Sequence, residues 1–163
     1  MELADAQAIN EAIWLQYLKV RDDPGVRRSH YFEGRYENIY VSEEQMPALG
    51  SVLQAARHGA QRFLQQAGMD LSVGFWMNEM GPGHVTLPHT HDEDDELASA
   101  VYYVKVQEGA GDLLLTQGVA SLRISPRPGL FVFFAPDVRH EVTANRSDKT
   151  RLSIGMNFGP RKS

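Results

Sequence analysis

The rhythm of hydrophobic and polar positions changes near Gly68. Before it, Leu3, Ile9, Ile13, Trp14, Tyr17 and Leu18 recur at broadly helical spacing over residues 2–19. That spacing predicts an amphipathic helix, ended by the breaker Asp23-Pro24-Gly25. Residues 26–41 are mixed in character and suggest only a short strand over 38–41. Ser42 and Gln45 have capping-box spacing and open a second predicted helix, in which Pro47 is tolerable only near the start. Its apolar stripe is Leu49, Leu53, Ala56, Ala60 and Leu64, with Gly68 as the expected C-cap. Beyond Gly68 the segments 71–80, 85–89, 98–106, 112–115, 121–124, 130–134, 140–143 and 151–158 read as short strands parted by Gly, Pro, Asn or acidic residues. So many short strands imply a sandwich or barrel. The expected architecture is mainly β with N-terminal helices, in one domain over 1–163. Residues 1–68 would form a mainly helical cover that closes an edge of the β core over 69–160.

Composition narrows the function classes. A chain of 163 residues can bury a real core in one domain. A net charge of -5 with dispersed basic residues argues against nucleic acid, whose binding needs a phosphate-neutralising surface. The chain has no cysteine, which excludes disulfides, thiolate metal ligands and cysteine nucleophiles. No apolar run approaches a membrane span, and acids occupy the N-terminus where a signal peptide would carry basic residues. The expected location is therefore cytoplasmic, with a small-molecule substrate and neither nucleic acid nor membrane as partner. A homodimer is possible, because small barrels often bury an edge or a helix that way.

Candidate chemistry gathers on histidines. In a strand, residues two apart face the same side, so His89 and His91 in Pro88-His-Thr-His can point inward together. His140 follows an apolar strand and the Pro136-Asp137 turn, where it can reach back toward them. Imidazoles in such a constellation suit Fe(II), Zn(II), Ni(II) or Cu(II) and leave coordination positions open. Carboxylates compete as ligands, because Asp92-Glu-Asp-Asp-Glu96 follows at once. Two ligand registers stay open: His89, His91 and His140, with Glu96 as a further candidate, or His91, Glu93 and His140. The first is preferred, because His89 is the earlier strand position and five consecutive acids read as a solvated loop. His30 and His58 have no partner by spacing, and His84, next to Gly83, could line the entrance, although a loop histidine needs no such role.

Arg151, Ser153 and Gly155 share one face of the last strand. An inward guanidinium beside an inward hydroxyl is costly unless an anion satisfies it, and arginine can hold a carboxylate through two parallel hydrogen bonds. Asn78 and Asn157 are polar candidates for the same cavity, although each could equally satisfy a strand end. One of Tyr102 and Tyr103 should point inward, and Tyr103 is preferred. Arg27, Arg28, Arg35 and Tyr36 read as polar connecting surface, with a second anion contact as the less favoured role.

Several motifs then fall into one order: Trp76 to Asn78, Pro88 to His91, Ser99 to Val104, Gly111-Asp112-Leu113, Phe131 to Pro136, His140, Arg151 to Ser153 and Asn157-Phe158. In this order the chain resembles the 2-oxoglutarate, Fe(II)-dependent oxygenases, most of all a small group with a His-x-His signature. The resemblance implies a double-stranded β-helix, a jelly-roll, cupin-like barrel. It implies Fe(II) on the histidines and 2-oxoglutarate as cosubstrate, with Arg151 and Ser153 on its distal carboxylate. It also implies hydroxylation of a small molecule or an amino-acid side chain. One departure is clear: the superfamily's usual proximal motif is His-x-Asp or His-x-Glu, and this chain has His91 at the acid's position. Gly83, His89, His91 and Glu96 also resemble the first cupin motif. That likeness implies an alternative, a three-histidine dioxygenase that does not use 2-oxoglutarate. A metal-binding barrel without catalysis is the third class.

Overall fold

The structure is a computed structural model that describes residues 1–91 and 95–161. Helix α1 (Ala6–Val20) is followed by strands β1 (Arg27–Phe32) and β2 (Arg35–Tyr40), then by helix α2 (Leu49–Phe63). Eight further strands complete the chain: β3 (Leu71–Met80), β4 (Thr86–His89), β5 (Ala98–Lys105), β6 (Leu113–Gln117), β7 (Ala120–Ile124), β8 (Phe131–Phe134), β9 (Arg139–Val142) and β10 (Arg151–Pro160). Each matches a segment expected from the alternation of the sequence to within two residues at either end.

The N-terminal third departs further from expectation. Residues 27–40 form a β-hairpin where the sequence suggested one short strand. Its two-residue turn, Glu33-Gly34, has positive φ at both positions (47° and 82°), and Phe32 pairs with Arg35 across it. That geometry matches the right-handed twist of the flanking strands, and glycine adopts it without steric cost. The Ser42–Gln45 capping box is present: the Ser42 amide donates to Gln45 Oε1 at 2.9 Å, and the Gln45 amide donates to Ser42 Oγ at 3.2 Å. It closes an isolated turn, however, and α2 begins only after Pro47. The second helix ends earlier than expected too. Gln65, at φ 55°, takes the left-handed position assigned to Gly68. The Gln66 amide donates to the Gln61 carbonyl and the Gln65 amide to the Arg62 carbonyl, the two bonds of a Schellman ending.

The strands form two antiparallel sheets. One has six strands in the order β1-β2-β3-β10-β5-β8, and the other four in the order β4-β9-β6-β7. This is the double-stranded β-helix arrangement, but the sheets do not close into the barrel that was expected. No ladder joins them among the described residues. One free edge is instead taken up by the start of the chain. The Phe131 amide on β8 donates to the Met1 carbonyl, the Leu3 amide to the Gly129 carbonyl, and Glu2 bridges Leu130. A covered edge has no exposed donors and acceptors left to pair elsewhere.

The apolar core lies between the helices and the larger sheet. Ile13, Leu49, Leu53 and Ala56 from the helices pack with Tyr102, Ile154 and Phe158 from the strands, all fully buried. Each large apolar side chain of this kind contributes roughly 1.5–3 kcal/mol by leaving water. The residues of β10 alternate, Leu152, Ile154 and Met156 facing this core while Arg151, Ser153 and Gly155 face the space between the sheets. One face stabilises the fold, and the other is free to carry chemistry.

Candidate metal centre

His89 ends β4, and its Cα partner across the ladder is His140 on β9. Direct pairing brings their rings to 4.1 Å between centroids. His91 lies two residues beyond, past the strand end. Its amide donates to the Pro136 carbonyl at 2.9 Å, which pins this segment beside the loop that leads into β9. The His91 ring lies 5.0 Å from that of His89 and 4.9 Å from that of His140. One ligand nitrogen from each of the three histidines falls within 4.8 Å of the others.

Hydrogen bonds fix which nitrogen of two rings is available. His89 Nδ1 lies 2.8 Å from the Leu87 carbonyl, and His140 Nδ1 lies 3.1 Å from the Val138 carbonyl. A carbonyl oxygen only accepts, so each Nδ1 carries the proton and each Nε2 keeps a bare lone pair. Such partners orient metal-bound imidazoles and raise their basicity. His140 is 8% exposed, and burial, reinforced by the nearby His89, pushes its pKa down to about 3. It is therefore neutral at ordinary pH, the form that binds a metal. Phe134 packs 4.8 Å from its ring, and Trp76 lies 5.5 Å from that of His91.

A cavity between the sheets runs from the histidines to Arg151 and is lined also by Asn78, Thr86 and Ser153. Arg151 is 1% exposed. Its Nη1 donates to the carbonyls of Gly111 (2.8 Å) and Ala110 (3.3 Å), and its guanidinium lies 5.1 Å from the centre of the Tyr103 ring. Burial lowers the pKa of this guanidinium from its usual value. Arg151 Nε, the Tyr103 hydroxyl and Asn78 Oδ1 are buried without a hydrogen-bond partner among the described residues, and Arg151 has no carboxylate in ion-pair contact there. Burial also pushes the Tyr103 hydroxyl up to about 12. Tyr102 turns the other way, into the helix-facing core, where its hydroxyl donates to Asn10 Oδ1 at 2.7 Å. The orphaned donors here, Arg151 Nε–H and the Tyr103 hydroxyl, mark a place suited to an anion, whereas Asn78 Oδ1 is an acceptor and calls for a donor.

Other candidates sit elsewhere. Asn157 opens onto an outer cleft, accepts a hydrogen bond from Ser99 Oγ at 3.1 Å and donates to Glu96 Oε1 at 3.4 Å. Glu96 is not in the histidine group, and Glu93 lies outside the described residues. His84 lines a separate groove near Arg21 and Arg35, and its Nδ1 accepts from the Gly81 amide at 2.9 Å. Arg28 and Arg35 spend their donors mainly on backbone carbonyls.

The outer cleft is the part that sequence reasoning missed. It starts at His89 and His91 and is walled by the hairpin through His30, Glu37, Asn38 and Tyr40. A signal was present: Glu33-Gly34 lies between two arms rich in Tyr, Phe and Ile, as a two-residue hairpin turn would require. Trp76 lines both the cleft and the inner cavity.

With this geometry in place, comparison with known proteins defines the class. The profile of the 2OG-Fe(II) oxygenase superfamily matches residues 75–159, and the chain belongs to that family. The fold is that of a prolyl-4-hydroxylase from Pseudomonas putida, with 18% identity, 97% of this chain and 84% of that one covered, and a TM-score of 0.65. The alpha-ketoglutarate-dependent carbocyclase SnoK of nogalamycin biosynthesis shares 16% identity over 98% of this chain and 76% of its own, with a TM-score of 0.73. A prolyl hydroxylase from Trichoplax adhaerens, solved with a hypoxia-inducible-factor peptide fragment, gives 14%, 93%, 78% and 0.69 in the same order. No curated protein matches the chain. The protein is thus a 2OG/Fe(II)-type oxygenase, and its general function is non-haem iron-dependent oxidation. No helix among the described residues is long and apolar enough to cross a membrane.

Proposed function

We propose that this oxygenase is a dioxygenase that holds Fe(II) through three histidines, His89, His91 and His140, with no carboxylate in the ligand set. The convergence of the three imidazoles carries this reading, since two of them are already oriented by carbonyls with Nε2 bare. Bound there, Fe(II) would supply the activation of oxygen and the transfer of electrons. The chain's own residues would do the rest. Phe134 packs against the His140 ring and Trp76 against that of His91, while His89 stays exposed, and the Leu87 and Val138 carbonyls keep two of the imidazoles in the ligating tautomer. In this form the substrate itself provides the electrons, as in three-histidine cupin dioxygenases.

A second reading keeps 2-oxoglutarate as the electron source, coupling its decarboxylation to hydroxylation of the substrate. The observation that favours it is Arg151, a buried guanidinium with no carboxylate partner among the described residues, in the same cavity as the histidines. Arg151 and Ser153 would bind the distal carboxylate, with the Tyr103 hydroxyl and Asn78 as further polar contacts. Asn157 would serve the outer cleft instead.

Metal binding is measured first. Anaerobic titration should find one Fe(II) per chain, and His91→Ala should weaken it by more than about hundredfold, beyond the loss typical of an outer-shell partner. Unchanged affinity in His91→Ala would sink the three-histidine centre and favour the register through Glu93. Adding 2-oxoglutarate to the iron-loaded protein without oxygen then separates the two electron sources. No visible charge-transfer band supports the three-histidine reading. A saturable band that needs at least about tenfold more acid in Arg151→Ala establishes the second.

A further inference from the structure

We infer that the outer cleft binds a cationic substrate, one that carries a protonated amine or a guanidinium, and that Glu96 is the group that anchors it. This rests on the metal centre proposed above, because the cleft opens onto His89 and His91 and the carbon to be oxidised must lie beside them.

The lining of the cleft offers acceptors and no competing cation. Glu37, Asn38, Asn78, Thr86 and Glu96 face it, and no lysine or arginine is among its described lining residues. Two guanidiniums approach from the hairpin, and Arg27 shares an adjoining groove with Glu96, yet neither is in ion-pair contact with it among the described residues. Arg35 pairs with Glu37 at 3.1 Å and donates to the carbonyls of Glu79 and Val85, while Arg27 stacks on the Tyr40 ring at 3.8 Å. Glu37 is therefore neutralised by Arg35, whereas no described residue neutralises Glu96. Among the described residues Glu96 has no ion pair, and its side-chain hydrogen bond there is the 3.4 Å contact from Asn157.

A second observation points to a ligand independently of charge. Among the buried side-chain atoms without a partner, Asn78 Oδ1, Thr86 Oγ1 and Glu96 Oε2 all belong to residues that line this cleft, and all are oxygens. Thr86 is 7% exposed, so its hydroxyl has little access to bulk water. A buried acceptor without a donor costs about 1–3 kcal/mol, and more when charged. A ligand rich in N–H groups removes that cost, whereas an anionic ligand adds repulsion at Glu96. Trp76, beside His91 in the same wall, is a ring that attracts cations. An acid would meet its complement at Arg151, in the inner cavity; the cleft has the opposite preference.

The test uses three probes of equal length: pentylamine, pentan-1-ol and pentanoate. Their binding is followed by saturation-transfer NMR on the zinc-loaded protein, and their proximity to the metal by relaxation enhancement after cobalt replaces zinc. Pentylamine should bind at least about tenfold more tightly than pentanoate, with pentan-1-ol between them. Glu96→Gln, which keeps the shape of the side chain, should weaken pentylamine by about tenfold and leave pentan-1-ol unchanged. The unchanged alcohol shows that the cleft has stayed folded. Pentanoate binding as tightly as pentylamine, or an amine indifferent to Glu96→Gln, overturns the inference. Glu96-dependent amine binding without cobalt-induced relaxation supports the cationic site and tells against the metal centre, so the two failures are distinct.

Discussion

Between the sheets, the cavity ends on Arg151, a guanidinium held by two carbonyls and faced by the orphaned Tyr103 hydroxyl. On the outer side of the same histidines, the cleft is walled by Glu37, Glu96 and carboxamides, with no lysine or arginine among its described lining. The two chambers share Trp76, Asn78, Thr86, His89 and His91, yet they present opposite charge. They are also built differently. Arg151 stands on β10, in the middle of the larger sheet, and its surroundings are fixed by strand register. The cleft wall is a hairpin whose one ladder pair to β3 among the described residues is Ile39 with Met77. A pocket fixed by strand register suits a ligand that is the same in every turnover, and a separate hairpin wall suits the molecule that varies between enzymes.

If the hairpin is a separable wall, it should be possible to loosen it without touching the inner cavity. Arg35 is the residue that ties it down, through Glu37 on its own strand, the Glu79 carbonyl at the end of β3 and the Val85 carbonyl before β4. Arg35→Met removes these bonds while keeping much of the side-chain volume. It should lower stability by about 2–4 kcal/mol in chemical denaturation, since hydrogen bonds to charged groups are each worth roughly 1.5–3 kcal/mol and Glu37 is left without its cation. Affinity for Fe(II) should stay within about twofold, because His89, His91 and His140 are positioned by the β4–β9 ladder and the Pro136 carbonyl. A parallel collapse of metal binding would show that the hairpin also supports the metal site, and the contrast between the chambers would fail.

The sheets were legible in the sequence because their strands alternate, and β3 has the bounds that its pattern implies. The histidine group was legible in part. Two-residue spacing placed His89 and His91 on one side, but the pairing of His89 with His140 is a long-range register between residues about fifty apart. No local pattern encodes such a pairing. Arg151 could be placed inward by alternation, whereas its contact with Tyr103 depends on Ser153 pairing with Tyr103 across β10 and β5. The hairpin was hidden for a different reason. Its arms mix Tyr, Phe and Ile with polar residues and are mostly part-exposed, so no hydrophobic period marks them, and the turn at Glu33-Gly34 was their clearest signal. The cleft went unnoticed along with its wall.

The smallest effect is expected where the chambers meet. A Cβ on Gly155 would come within 2.4 Å of the Trp76 ring, which lies flat enough on the strand that glycine is the residue that fits. Gly155→Ala must move that ring, and overpacking of this kind costs about 1–3 kcal/mol. Trp76 abuts His91 but is not among the aromatic neighbours of His89 or His140, so the disturbance should enter the metal centre through one ligand. The expected result is a loss of Fe(II) affinity of about tenfold, the lower end for outer-shell changes, with a shifted Trp emission maximum in the metal-free protein. Because Trp76 lines both chambers, pentylamine in the cleft and, on the second reading, 2-oxoglutarate in the cavity should both respond. If emission shifts while only one ligand's affinity changes, Trp76 belongs to that chamber alone, and the shared wall must be redrawn around Asn78 and Thr86.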